Sequence, residues 1–147
     1  MNPPPKAAAA KRCIAVFTGN RAEYGLLYPI LKAIAGHPLL SYHLIVSGSH
    51  LKDDFGKTIS EIERDGFTTY TRVQVDFVED SPAAVAGAIG SGVTGISGVL
   101  ASLRPDALLV YGDRYESFSA TIAGTQMGIP TAHVEGGDYT EIGRAHV

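Results

Sequence analysis

Short apolar runs alternate along this chain with longer stretches whose apolar residues fall at helical spacing. Arg12 to Thr18 is β-branched and predicts a first strand, followed by the tight loop Gly19-Asn20-Arg21. Between Ala22 and Ala35 the positions Leu26, Leu27, Ile30, Leu31 and Ile34 make the stripe of an amphipathic helix, which Gly36-His37-Pro38 ends. Tyr42 to Val46 predicts a second strand that opens into a polar loop over Ser47 to Asp54. A helix from about Phe55 to Arg64 points Ile59 and Ile62 inward and stops at Asp65-Gly66. Thr69 to Val75 alternates and is rich in β-formers, so it predicts a third strand near a sheet edge. Ala107 to Tyr111, Tyr115 to Met127 and Thr131 to Val134 then read as strand, helix and strand. Strands alternating with helices in this way predict an α/β fold: a Rossmann-like parallel sheet with helices on both faces and right-handed crossovers.

The segment from Ser81 to Leu103 carries no charge and is long enough to cross a bilayer. Its large apolar residues, Val85, Ile89, Val93, Ile96, Leu100 and Leu103, are spaced as one helical stripe. Glycine, serine, threonine and alanine fill the other faces. That pattern predicts a buried helix of a soluble protein, not a membrane span. Gly87, Gly90, Gly92, Gly95 and Gly98 each weaken a helix by up to about 1 kcal/mol relative to alanine. Their number predicts close packing on both sides, or a helix that moves with ligand.

Composition narrows the picture further. With 147 residues, 45% of them apolar, the chain has the material for one domain and its core. A formal charge of −3 offers no basic stripe for nucleic acid. Cys13, the single cysteine, lies in an apolar run and predicts a buried, inert thiol. Residues 1–11 read as a proline- and alanine-rich leader outside the fold, with no secretory pattern, so the cytoplasm is the expected compartment. The last residues, Glu141-Ile142-Gly143-Arg144-Ala145-His146-Val147, look like a sequencing adapter translated to its first stop codon; they are expected to be non-native.

Candidate chemistry gathers where apolar runs stop. Val110-Tyr111-Gly112-Asp113-Arg114-Tyr115-Glu116 and Pro130-Thr131-Ala132-His133-Val134-Glu135-Gly136-Gly137-Asp138 each end a strand at a carboxylate flanked by glycine. Open parallel sheets keep ligands at those strand ends. On adjacent strands about 5 Å apart, Asp113 and Glu135 reach one small substrate. The first loop, Thr18 to Tyr24, offers free N–H groups, a helix dipole and the Arg21 fork to an anion. It has neither a Walker A pattern nor GxGxxG, which argues against ATP and NAD.

Each feature also has a plainer reading. The loop fits an ordinary strand–helix turn with a solvated Arg21. Asp113 fits a helix N-cap with Glu116 three residues on, and Arg114 between two acids fits surface pairing. His133 and Glu135, on one face of a strand by alternation, fit a structural role. A metal site lacks a third ligand.

In combination these residues resemble the UDP-N-acetylglucosamine 2-epimerases. Thr18 to Tyr24, Gly48-Ser49-His50-Leu51 with Phe55-Gly56 and Glu61 to Gly66, Gly112 to Glu116, and His133 to Asp138 carry the resemblance in order, across Arg12 to Thr140. The Gly-Asp-Arg block and the double glycine are similar to the hydrolysing branch, which serves sialic and related nonulosonic acid synthesis. The resemblance implies a GT-B-type enzyme of two Rossmann-like domains, of which residues 12–140 are the first. It implies UDP elimination by removal of the sugar C2 proton, then hydration to N-acetylmannosamine, without a cofactor. Asp113, Glu135 and His133 align with catalytic positions, and Gly19, Arg21, Arg114, Glu116 and Gly136 with substrate-binding positions. The family continues beyond Thr140 with another acid, an Arg-His pair and a second domain. The resemblance therefore implies a homo-oligomeric parent enzyme and a fragment inactive alone. A related bacillosamine-type UDP-sugar, a GT-B glycosyltransferase domain and a silent α/β binding module are the alternatives.

Overall fold

A computed structural model of the chain describes residues 10–51, 58–75 and 81–137. The elements are β1 (Arg12–Thr18), α1 (Arg21–Gly36), β2 (Leu40–Val46), a 3-10 turn (Gly48–Leu51), α2 (Ile59–Arg64), β3 (Tyr70–Arg72), α3 (Pro82–Leu103), β4 (Ala107–Tyr111), α4 (Tyr115–Gln126) and β5 (Thr131–Val134). The strands form one sheet in the order β3-β2-β1-β4-β5, with every pairing parallel. Connections run outward in both directions from the β1–β4 pair. That reversal opens a crevice at the carboxyl ends of these two strands, where doubly wound sheets bind ligands.

Side chains on each strand alternate between two cores. Ala15 and Phe17, Ile45, and Leu108 and Val110 face a layer containing Ile96 and Leu100 of α3 and Ala120 and Ala123 of α4. Val16, Leu44 and Val46, and Leu109 face Leu27, Leu31 and Ile34 of α1 and Ile59 and Ile62 of α2. Helices therefore cover both faces, as the sequence predicts. Leu27 and Leu31 are fully buried, each stabilising the fold by roughly 2 kcal/mol. Leu26, assigned to the same stripe, is 54% exposed; Tyr24 takes the inward position instead.

Local signals set the boundaries. Asn20 caps α1, its Oδ1 accepting from the Glu23 N–H at 3.0 Å. Ser81 caps α3 through the Ala84 N–H at 3.2 Å. β3 is an edge strand, shorter than predicted: its regular ladder ends at Arg72, although Val73 still donates its N–H to the Val46 carbonyl at 2.9 Å and Val73 and Val75 stay buried. The predicted start of α2, the leader up to residue 9 and the predicted non-native tail lie outside the described residues.

Two expectations need correction. Cys13 is half-buried; burial raises its thiol pKa, and its N–H donates to Asp106 Oδ2 at 2.7 Å. In α3 the buried line is Ala88, Gly92, Ile96 and Leu100, one i,i+4 row, and Val85, Ile89 and Val93 stand at its margin. The helix is long and apolar enough to cross a membrane, and among the described residues it is covered on one side only. Gly92 and Gly95 do serve close packing: a Cβ there would meet Ser119 and Val75, or Val73, inside 3 Å. Gly87, Gly90 and Gly98 meet nothing among the described residues, which therefore pack closely on one side of the helix only.

Candidate active site at the carboxyl rim of the sheet

Three loops converge at the mouth of the crevice. Gly19 follows β1, Gly48 follows β2, and Arg114 to Glu116 opens α4 after β4. Glu116 stands at the centre, 1% exposed. A Cβ on Gly19 would lie 3.1 Å from Glu116 Cβ, and one on Gly48 would lie 3.0 Å from Glu116 Oε1 and overlap the Gly19 carbonyl oxygen. Gly48 also has φ +60, a conformation that glycine adopts without penalty. Gly48 needs glycine because backbone and carboxylate both approach it so closely, and at Gly19 any side chain would be tight against Glu116.

Glu116 is held by Arg114, whose Nε and Nη2 donate to Oε2 and Oε1 at 3.2 Å each. This two-pronged pairing raises the Arg114 pKa, mainly through the hydrogen bonds to Glu116. Tyr115 is pushed up to about 12, by burial first and by Glu116 second. Glu23, from the first turn of α1, reaches back so that its Oε2 accepts from the Gly19 N–H at 2.8 Å. Burial raises its carboxyl pKa above the ordinary value, and Glu116 pushes it in the same direction. Glu23 Oε1 is sealed from solvent and has no partner among the described residues.

Behind this group, His50 is fully buried between two hydroxyls, with Nε2 at 3.0 Å from Thr18 Oγ1 and Nδ1 at 2.6 Å from Thr58 Oγ1. Burial lowers its pKa to about 4, so the ring is neutral. It ties the ends of β1 and β2 to α2 and stands edge-on to Tyr24.

The remaining predicted residues occupy the same rim. Arg21 opens α1; its Nη2 pairs with Glu61 Oε1 at 3.0 Å, and its side chain is 72% exposed. Asp113 follows Gly112 (φ +71) at the end of β4 and is exposed. It does not cap α4: Arg114 occupies the cap position and makes no side-chain cap bond. Glu116 is likewise engaged with Arg114 and not in a capping box. β4 and β5 are neighbours, with Tyr111 opposite Val134, so the Asp113 and Glu135 loops leave adjacent strand ends.

β5 stops at Val134, and Glu135 takes a left-handed φ of +58. Strand alternation therefore does not set its direction, contrary to the sequence reading that paired it with His133. His133 Nε2 lies 2.6 Å from the Gly112 carbonyl oxygen. A carbonyl only accepts, so Nε2 carries the proton. The ring rests on Gly136, where any Cβ would overlap it. His133 thus pins the β4 loop to the β5 loop.

The structure gathers the buried Gly19 and Glu116 with the exposed Arg114 into one group and joins His133, Gly112 and Gly136 into a second. Arg21 is turned to Glu61. Glu23 and His50 are the rim residues not singled out from sequence. The available signal was Asn20-x-x-Glu23, a capping-box spacing. No group of three His, Cys, Asp or Glu side chains suited to a metal occurs among the described residues.

Comparison with known proteins agrees with this architecture. Residues 32–145 match the family model for UDP-N-acetylglucosamine 2-epimerase. The chain is 35% identical over 127 residues to a UDP-N,N'-diacetylbacillosamine 2-epimerase (hydrolyzing) of Legionella pneumophila, covering 86% of this chain and 34% of that protein. It is 32% identical to a UDP-N-acetylglucosamine 2-epimerase of Neisseria meningitidis, over 88% of this chain and 33% of the relative. In fold it is similar to the crystal structure of a Neisseria meningitidis UDP-GlcNAc 2-epimerase bound to UDP-GlcNAc, with TM-score 0.69 and 20% identity over 87% of this chain and 33% of that one. The chain spans about a third of the length of the curated relatives it matches. On this evidence the chain belongs to the UDP-N-acetylglucosamine 2-epimerase family.

Proposed function

We propose that this chain supplies the first Rossmann-like domain, residues 12–140, of a two-domain GT-B-type hydrolysing 2-epimerase. The whole protein converts UDP-N-acetylglucosamine and water to N-acetylmannosamine and UDP, for sialic or related nonulosonic acid synthesis. It works in the cytoplasm, as a homo-oligomer, without a cofactor. The observation that carries this reading is the rim itself: the loops after β1, β4 and β5 stand along adjacent strand ends beside the β1–β4 crevice. The hydrolyzing relative in Legionella pneumophila supports the reaction type.

The C2 hydrogen of an N-acetyl sugar is a weak acid, so its removal needs a positioned carboxylate while the departing diphosphate is stabilised. Asp113 and Glu135 are the exposed carboxylates at adjacent strand ends and serve as acid and base. Glu135 holds a left-handed backbone without being glycine, the kind of strain that a functional position retains. His133 fixes the spacing between their loops. Arg21 sits in the first turn of α1, where the helix dipole favours an anion; on binding the diphosphate it exchanges its half-buried Glu61 partner for phosphate oxygens. Arg114 and Glu116, with Gly19 and Gly136, shape the floor beneath the sugar nucleotide.

The test is to express the whole open reading frame that carries this chain and to incubate it with UDP-N-acetylglucosamine and no acceptor. The proposal predicts free UDP and N-acetylmannosamine in equal amounts, lost in Asp113→Asn and Glu135→Gln. Turnover only with an added acceptor assigns a glycosyltransferase instead, and unchanged turnover in both variants removes the two carboxylates from the chemistry.

A further inference from the structure

The loop after β1 is fastened by a carboxyl group that is poorly provided for as an anion. Glu23 is 5% exposed and receives one backbone N–H, from Gly19, on Oε2. Its Oε1 is sealed and has no partner among the described residues. Glu116, 1% exposed, flanks the same glycine and takes both prongs of Arg114. A buried charge is tolerated when paired and hydrogen-bonded. Arg114 provides for one carboxylate, and Glu116 has it. Two like charges sharing one site cannot both ionise at ordinary cost.

Every element packed here contributes a group. α1 brings Glu23 and Asn20, whose amide oxygen accepts from the Glu23 N–H. The start of α4 brings Glu116, Arg114 and Tyr115. The Gly48–Leu51 turn brings Gly48 against Glu116 and, further in, the neutral His50. The charges acting on Glu23 are those of Glu116 and Arg114.

We propose that the buried Glu23 carboxyl holds a proton beside the Glu116–Arg114 ion pair and serves as the catch of the Gly19–Arg21 loop. With the proton present, Glu23 is neutral, Glu116 is the partner of Arg114, and Gly19 stays anchored. Once the proton leaves, two anions face one arginine and the catch loosens. Both are positioning residues, acting through Gly19 and Arg21. That the loop receives a diphosphate rests on the proposed function; the proton on Glu23 does not.

The test follows the ligand-free, isotope-labelled chain by NMR between pH 4 and 8, reading the Gly19 amide and the glutamate side-chain carboxyl carbons. The expected result is that Gly19 and the Glu23 carboxyl titrate together, above the ordinary glutamate value of 4.5. Glu23→Gln removes the Gly19 transition while keeping an oxygen for its N–H. Glu116→Gln lowers the Glu23 midpoint, and Arg114→Gln, which tests the same coupling if Glu116→Gln does not fold, raises it. A Glu23 transition at the ordinary value, or one that neither change moves, overturns the proposal. A second arm titrates the whole protein, with and without the same substitutions, with UDP-N-acetylglucosamine, whose charge is constant over this range. Affinity is expected to fall at least threefold across the midpoint in the wild type and to stay level in Glu23→Gln; parallel profiles overturn the positioning role. Absence of binding in every form, with the coupled titration intact, overturns the proposed function and leaves the proton on Glu23 standing.

Discussion

One substitution, glycine to alanine, is expected to act in opposite directions at two places in this chain. At Gly48 the backbone has φ +60, and an added Cβ would overlap the Gly19 carbonyl oxygen and stand 3.0 Å from Glu116 Oε1. A left-handed alanine costs roughly 1–2 kcal/mol. The overlap is with backbone, so no rotamer relieves it and the loop itself must move, at about 1–3 kcal/mol for overpacking. Allowing for partial relaxation, Gly48→Ala is predicted to destabilise by about 2–4 kcal/mol, in the range where a single change removes much of a small domain's stability. Gly87 lies inside α3 with nothing within 4 Å of its added Cβ. Gly87→Ala is predicted to stabilise by about 0.5–1 kcal/mol, the helix-propensity difference. Urea unfolding followed by circular dichroism measures both, with stability extrapolated to water. A Gly48→Ala protein within about 0.5 kcal/mol of wild type, the level of an ordinary surface change, would refute the convergence of the three loops on Glu116.

Further tests address single residues. His50 is held neutral with its pKa lowered from 6.5 to about 4; its contribution is therefore complete above pH 6.5 and lost as pH falls through that window, by up to about 3 kcal/mol at 1.36 kcal/mol per unit. Comparing wild type with His50→Gln at pH 7.5 and pH 4.5 should show the gap between them narrowing in acid; a constant gap would contradict the assignment. Arg21→Ala breaks a partly exposed ion pair and should alter stability by less than about 1 kcal/mol. In the whole protein it should weaken UDP-N-acetylglucosamine binding at least tenfold, and equal affinity would remove Arg21 from the diphosphate site. Gly136→Ala should displace the His133 ring from the Gly112 carbonyl, detected as loss of the Nε2–H tautomer in nitrogen-15 spectra of the imidazole. A retained tautomer would mean that the ring is not seated on Gly136.

The strand ends and the sheet were legible because each rests on a local pattern. β4 and β5 have their predicted bounds, since Ala107 to Tyr111 is an apolar run closed by Gly112 and Thr131 to Val134 lies between Pro130 and Glu135. The facing of α3 was less legible. Its small residues make several stripes nearly equivalent, and contacts of Gly92 and Gly95 with Ser119, Val75 and Val73 select among them. Glu135 was placed in a strand by its spacing from His133, whereas β5 ends at Val134 and Glu135 takes a left-handed φ. Burial of Glu116 and Glu23 could not be read from the chain, because charged residues beside a loop look solvated until three loops meet over them. Family resemblance supplied the candidate residues; the fold supplied their partners.

The sharpest measurement is the fate of the sugar C2 hydrogen. The whole protein, given UDP-N-acetylglucosamine in deuterium oxide without acceptor, is predicted to release UDP and N-acetylmannosamine bearing one solvent deuterium at C2, and Glu135→Gln or Asp113→Asn should abolish both. A product that keeps its original C2 hydrogen, or intact substrate after prolonged incubation, would contradict elimination chemistry at this rim.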